Sequence, residues 1–460
     1  MEKGNNPESE VNIPIPRPTP TSKSTPRHRD PHAPPSSRPR RAMNDVLPVP
    51  FLESIATQVA IDTARSSGRL AVGPALGSVF QVCSTWRAVS RSEHLWETLT
   101  WNNWGRANRT QDTWHEEFIH LHRMARNFAI GRYAYASLHF DPSDVEDADA
   151  STVVCRCLAL SDVHLACGFA DGTVRLFDLE TRVHVSTFQS HHGDRIGPFS
   201  RSVSGMVLTN ERLVFARLDG DVYVALLDGP DNQTRRAHGG DVVNNGVLVE
   251  FAGCGRWWVG LFAGVPGRAF QIWDAHTEEL VFMGGSLTDP ETVMGWHMLT
   301  ELTEPVGRVR VTDREIAVAC TSSQLIVFHL GNPEILLYEL WSTVGGFVVT
   351  SLDVSDEALF IVERNGDAKV RRALTLEQLC EFRVRGAASS VRGLLGCRNV
   401  GYALTCAGGV VRVWDVERAV GRQRLMLGER VGEANAMVCN ERHVAVSCND
   451  TSIHLWDFDV

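Results

Sequence analysis

The segments GGVVRVWDVER (residues 408–418) and NDTSIHLWDF (residues 449–458) end in the same way. Trp414-Asp415 and Trp456-Asp457 stand 42 residues apart, and further back lie Trp273-Asp274 and Phe177-Asp178. From Asp274 to Asp415 is 141 residues, three periods of 47, and from Asp178 to Asp274 is 96, two periods of 48. Degenerate copies occupy the gaps: LVFARLDGDVYVALLD ending at Asp228, IAVACTSSQLIVFHL ending at Leu330, and LFIVERNGDAKVRRAL ending at Leu374. The sequence therefore carries seven related units.

Each unit reads as strand, tight turn, strand. The turns are Asp171-Gly172, Asp219-Gly220, Asn365-Gly366, Gly408-Gly409 and Asn449-Asp450, with Ser322-Ser323 weaker. Asp-Gly and Asn-Gly suit hairpin turns that need positive φ, and the flanking apolar alternation is that of strands. A period of 40–50 residues with hairpins and a terminal Trp-Asp resembles the WD-repeat propeller. In that family the Asp commonly accepts hydrogen bonds within its blade. The Gly-His dipeptide of a full repeat is mostly missing, so the repeats are divergent and incomplete internal networks are expected. The sequence ends soon after the third strand of its last unit. RYAYASLHF (residues 132–140) is strand-like, precedes the first unit, and is expected to supply the missing outer strand, which removes an exposed edge.

Residues 45–104 are different. Phe51, Leu52, Ile55 and Val59 recur at helical spacing, behind Leu47-Pro48 and Pro50, where proline is tolerated. After a break near Ser66-Ser67-Gly68, Leu76, Val79, Phe80, Cys83 and Trp86 give a second apolar stripe. Ser92 is placed to cap a third helix carrying Leu95, Trp96 and Leu99. Leu47-Pro48, the Ile55/Val59 helix, Val82-Cys83 with Trp86, and Leu95-Trp96 together resemble an F-box, although the stretch from Val59 to Leu76 is about ten residues longer than usual, as a longer helix or a loop. Three short helices cannot bury all of these residues internally, and the surplus suits a partner surface. The resemblance implies a Skp-type SCF adaptor, and through it a cullin, docked on Leu47, Pro48, Phe51, Leu52, Ile55, Val59, Leu76, Val79, Phe80, Val82, Cys83 and Trp86.

A connecting helix is expected within residues 105–131. Thr113 and Glu116 are spaced as a capping box, an apolar stripe runs from Trp114 to Phe128, and Gly131 is placed to end it. His115 and His120 are five apart, where a zinc-binding helix motif needs four. The propeller then covers residues 132–460.

The chain has 460 residues and a formal charge of −10. No apolar run approaches the roughly 20 residues of a membrane helix, and no secretory signal is visible. Eleven irregularly spaced cysteines then read as reduced thiols. Ten of the 20 prolines lie in residues 1–44, a Pro/Ser/Arg-rich tail with little to bury and expected to be disordered. It carries eight Lys/Arg against four Asp/Glu, leaving the remainder near −14. Arg27-His28-Arg29 and Arg38-Pro39-Arg40-Arg41 read either as a nuclear-import signal or as a solvated tail.

No phosphate loop, dinucleotide fingerprint, nucleophile elbow or metal set is present, so no catalytic residue, metal or cofactor is assigned. Cys155 and Cys157 lack a second pair to complete a zinc set. An acidic folded part without a basic recognition helix disfavours direct nucleic-acid binding. Arg156, Arg201, Arg235, Arg236 and Arg308 are candidates to meet an acidic or phosphorylated target, and Trp296 to line a recognition face. The whole expectation is a mainly β chain: a seven-bladed WD-type propeller preceded by a small all-α F-box and a disordered tail. SRPRRAMNDVLPVPFLESIATQVA, DPSDVEDADASTVVCRCLALSDVHLACGFADGTVRLFDL and AGCGRWWVGLFAGVPGRAFQIWD further resemble a family of plant F-box proteins. That resemblance implies a non-catalytic, nuclear SCF substrate receptor controlling floral and organ-size development, with PEAPOD-type transcriptional repressor complexes among its targets. The rival expectation is a nuclear scaffold that regulates transcription without ubiquitin transfer.

Overall fold

Among the described residues, five α-helices precede the first strand. The computed structural model describes residues 47–141, 153–189, 197–227, 233–285, 307–320, 324–341, 349–355, 357–384, 394–399, 401–417 and 421–460. Helix α1 (Val49–Ser67) opens on proline and runs 19 residues to Gly68, whose φ of 87° ends it. The lengthening after Val59 is therefore mostly helix. Leu52, Ala56 and Ala60, four residues apart, form its buried face. A 3-10 turn (Arg69–Ala71) leads into α2 (Val72–Phe80), and α3 (Ser84–Val89) and α4 (Glu93–Trp104) follow. Ser92 Oγ caps α4 by accepting from the Leu95 amide. Helix α5 (Trp114–Ile130) begins with a full capping box, Thr113 and Glu116 each accepting from the other's amide at 3.2 Å, and ends at left-handed Gly131. Leu52, Leu76, Trp86, Leu95, Leu99 and Phe118 share one core.

The rest is β-structure in which each sheet meanders outward from an inner strand. The inner strands are Cys155–Leu160, Val203–Leu208, Val247–Gly253, Arg308–Val311, Val349–Val354, Leu395–Asn399 and Ala434–Cys439. They surround a channel, which makes the fold a β-propeller. Where the periodicity expects seven separate sheets, the described strands form five sheets of four and one of eight. The eight-stranded sheet joins two meanders through parallel pairing of Phe251 with Gly205. The cause is local: any Cβ on Gly205 would collide with the Phe251 carbonyl, so only glycine permits this approach.

The last sheet takes its outer strand from the start of the β region. Ala134–Leu138 pairs antiparallel with Ile453–Asp457, Ala134 opposite Asp457 and Leu138 opposite Ile453. The hairpin glycines Gly172, Gly220 and Gly366 have φ of 88°, 87° and 89°. Ser322 and Ser323 lie outside the described residues. The terminal aspartates all accept from amides that follow them, and two of them also take an arginine. Asp178 and Asp274 accept from amides of the following turn, from Thr181 and from His276 and Thr277. Asp415 and Asp457 likewise accept from the Glu417 and Asp459 amides and in addition hold Arg424 and Arg442. Trp414 Nε1 donates to Thr405 and Trp456 Nε1 to Glu429, whereas Trp273 Nε1 is buried without a partner among the described residues. The internal networks thus differ from sheet to sheet.

Two outcomes follow. Gly205→Ala must push two backbones apart and is expected to cost about 3 kcal/mol. Gly255→Ala, with nothing within 4 Å of the added methyl, stays within about 0.5 kcal/mol of the parent. Thermal unfolding compares them. His443 is buried, and burial pulls its imidazole down to about 4, against the pull of Asp457 and Asp459 and with Arg442 and Arg182 adding to the drop. The folded chain then declines a proton that the unfolded chain accepts below its ordinary value of 6.5. Stability attributable to this group is complete above pH 6.5 and falls as pH drops towards 4, by up to about 3 kcal/mol. Urea titrations between pH 7 and 5 should show His443→Gln with the shallower pH dependence.

Candidate functional site

Helices and propeller are tied at one end of the channel. Arg69, in the 3-10 turn, reaches Glu357 at 2.5 Å and Glu417 at 3.3 Å, and also donates to the Asn103 carbonyl at 3.0 Å. Burial pushes the Glu357 carboxyl up, but the charge and hydrogen bond of Arg69 outweigh it and hold it below the usual range. Arg106 spans Asp162 and Glu441 at 3.6 and 3.7 Å. Asp162, Glu357 and Glu441 all lie in turns that leave an inner strand for its neighbour, so the helices sit at that end. The hairpins at Gly172, Gly220, Gly366 and Gly409 lie at the opposite end.

The helical segment sorts its candidate residues by side of helix. Leu52, Leu76 and Trp86 are buried in its core, and Ile55, Val59, Val79, Phe80 and Cys83 are half-buried. Leu47, Pro48, Phe51 and Val82 are exposed, Phe51 by 50% and Val82 by 63%. A groove of about 560 Å³ lies alongside, lined by Leu76, Phe80, Trp96, Phe118 and Ile119 among others. Water-facing aromatic and aliphatic groups of this kind suit a protein partner.

The second candidate region is the channel. Arg156 and Arg308, far apart in sequence, both line it, with Arg310, Glu250 and Asp353. Glu250 is held by Arg308 at 3.0 Å and by Arg310. Burial pushes its carboxyl up, but the two guanidinium groups outweigh that and keep it low. Asp353 goes the other way. Burial raises it despite the Arg398 amide at 2.7 Å. Arg308 also donates to the Thr350 carbonyl. Alternation along Arg308-Val309-Arg310 places both arginines on one strand face, a signal the sequence does carry for Arg310.

The other target-binding candidates lie elsewhere. Arg235 and Arg236 belong to an outer strand, Thr234–His238, and pair with Glu278 at 2.6 Å and Asp221 at 3.5 Å. Arg201 ends a 3-10 turn, Pro198–Arg201, against Gly172. Trp296 lies outside the described residues. Trp257 and Trp258 are buried in their sheet. His115 packs on Trp96 while His120 faces Asp459, and among the described residues no three His, Cys, Asp or Glu side chains gather as a metal site. No described helix is long and apolar enough to cross a membrane.

No protein-family model matches the chain. A solved structure, the β-propeller domain of Myceliophteria thermophila Cps50 (Swd1), is similar with a TM-score of 0.48 at 13% identity, covering 70% of this chain and 99% of its own. Among curated proteins, "Transcriptional regulator STERILE APETALA" of Arabidopsis thaliana is 54% identical over 430 residues, 93% of this chain and 95% of that protein. With that identity spanning helices and propeller alike, the chain belongs to the STERILE APETALA family.

Proposed function

We propose that the chain is the substrate-recognition subunit of an SCF-type E3 ubiquitin ligase. Residues 45–104 act as its F-box, residues 105–131 as a connecting helix and residues 132–460 as a seven-bladed propeller, counting the eight-stranded sheet as two blades fused at Gly205. The helical surface docks a Skp-type adaptor and, through it, a cullin. The propeller holds target proteins, with PEAPOD-type repressor complexes as the implied class, and the chain itself makes and breaks no bond. Ubiquitin transfer is left to partners that the receptor brings close to the target. The nucleus is the proposed site of action, since the relative is named a transcriptional regulator. One observation carries this reading: Phe51 and Val82 stay in water while the helical core beneath them is complete. Large apolar groups left outside a finished core are anchors for another protein.

The relative's name also supports a second reading, a nuclear scaffold that regulates transcription without ubiquitin transfer. Co-purification of the full chain with a plant Skp-type adaptor separates the two. The ligase reading expects the parent to retain the adaptor and Phe51→Asp/Val82→Asp to weaken it at least about 30-fold. Both side chains are exposed, so the variant should keep the parent's circular dichroism and melting temperature. A well-folded parent that retains no adaptor overturns the ligase reading and leaves the scaffold.

A further inference from the structure

The end of the channel away from the helices is built from a repeated backbone irregularity. In five inner strands the pairing register slips near the start: between Cys155 and Cys157, Val203 and Gly205, Leu248 and Glu250, Val349 and Ser351, and Ala434 and Ala436. Each slip leaves one residue out of the ladder, namely Arg156, Ser204, Val249, Thr350 and Asn435. Bulges of this kind re-aim a side chain and favour functional positions. Ser204 and Thr350 spend their hydroxyls on the neighbouring strand, donating to Ala216 and Val362 carbonyls. Arg156 and Asn435 do not. Among the described residues, Arg156 Nη1 and Asn435 Nδ2 are buried with no hydrogen-bond partner, and so is Nε of Arg308. All three residues line the same channel.

The unmet groups are all N–H donors, and the acceptors nearby are already engaged. Glu250 is taken by Arg308 and Arg310, and Asp353 accepts from the amides of Arg398 and Val354. Among the described residues, no carboxylate pairs with Arg156. Burial pulls its guanidinium down to about 10, which still leaves it ionised at neutral pH. A half-buried, ionised guanidinium whose Nη1 is out of water and unpaired is costly unless something completes it. What is missing is an acceptor with negative charge and several lone pairs, the geometry a guanidinium fork fits best. The channel, of about 330 Å³, has room for one such group.

We propose that the open end of the propeller channel is a binding site for one compact oxyanion of the carboxylate or phosphomonoester class, held by Arg156 and Asn435 with Arg308 beside them. Placed away from the helices, it is where an acidic side chain of a bound target enters. It deepens the target-holding reading and does not depend on the ligase role.

The test is the melting temperature of the full chain in inorganic phosphate or acetate, against chloride at equal ionic strength. The parent is expected to gain roughly 2–4 °C in at least one of the two. Arg156→Gln should lose that gain, yet melt no lower than the parent in chloride, because it removes an unpaired buried charge. Asn435→Leu should also reduce the gain, which tests the site independently of Arg156. Stronger half-saturation by acetyl-phosphoserine amide than by phosphate assigns the anion to a partner's side chain, and the reverse assigns a free anion; both support the site. Three results overturn it: no gain in the parent, an equal gain in Arg156→Gln, or a lower melting point of that variant in chloride, which would mean Arg156 is already paired. Arg156→Gln should co-purify with the adaptor as the parent does, so failure here is separable from failure of the ligase reading.

Discussion

The pairing of Ala134–Leu138 with Ile453–Asp457 is the contact on which the architecture depends. It closes the ring, because it covers the edge that the last sheet would otherwise leave open. It also fastens the helices, because only Gly131, Arg132 and Tyr133 separate α5 from the closing strand. The same junction is reinforced from the helix side. Asn127 Nδ2 donates to the carbonyls of Phe458 and Val460, and Phe128 stacks on Phe458 at 3.6 Å between centroids. A helix so fixed cannot swing without opening the propeller. Ring closure and helix docking are therefore one cooperative event, made between segments more than 300 residues apart.

That coupling decides where the rest can work. With Arg69 and Arg106 binding the helices to turns at one end, the hairpin end stays clear of them. The inner strands carry the asymmetry into the channel. Near the hairpin end their register slips and unmet donors accumulate, whereas towards the helical end Asp353 is satisfied by backbone amides. Polarity along the channel is thus a property of the backbone pairing as much as of the side chains.

What could be read in advance was whatever is decided locally. A capping box needs only Thr113 and Glu116, an N-cap only Ser92, and a hairpin only Asp219-Gly220; each is in place. The closing strand was legible from the count of strands per unit. Relations set by pairing were not. Arg156, Arg235 and Arg236 look alike as basic residues in strands. Tertiary pairing gives the latter two Glu278 and Asp221, and a bulge turns the first into the channel. Asn435 gave no signal, since its role arises from the same bulge. Leu52 and Phe51 are adjacent and equally apolar, and only the arrangement of α2 to α5 around α1 buries one and exposes the other. The fusion of two sheets rests on Gly205, whose requirement comes from the Phe251 carbonyl of another meander.

These pieces combine into a mechanical argument. The inner strands are about six residues long, so the propeller is roughly 20 Å thick along its channel. The exposed apolar groups of the helices lie beyond one end and the unmet donors lie near the other. Between them is a closed ring of sheets with buried, interlocked cores, which deforms little because packed interiors are close to crystalline density. A body of this kind cannot relay binding at one end as a large motion at the other. Under the proposed function, such a body would hold two partners at a fixed separation and orientation. That is what the proposed proximity-driven chemistry by a third protein requires, and the fastening of α5 to the last blade, in place of a flexible tether between helices and propeller, suits it.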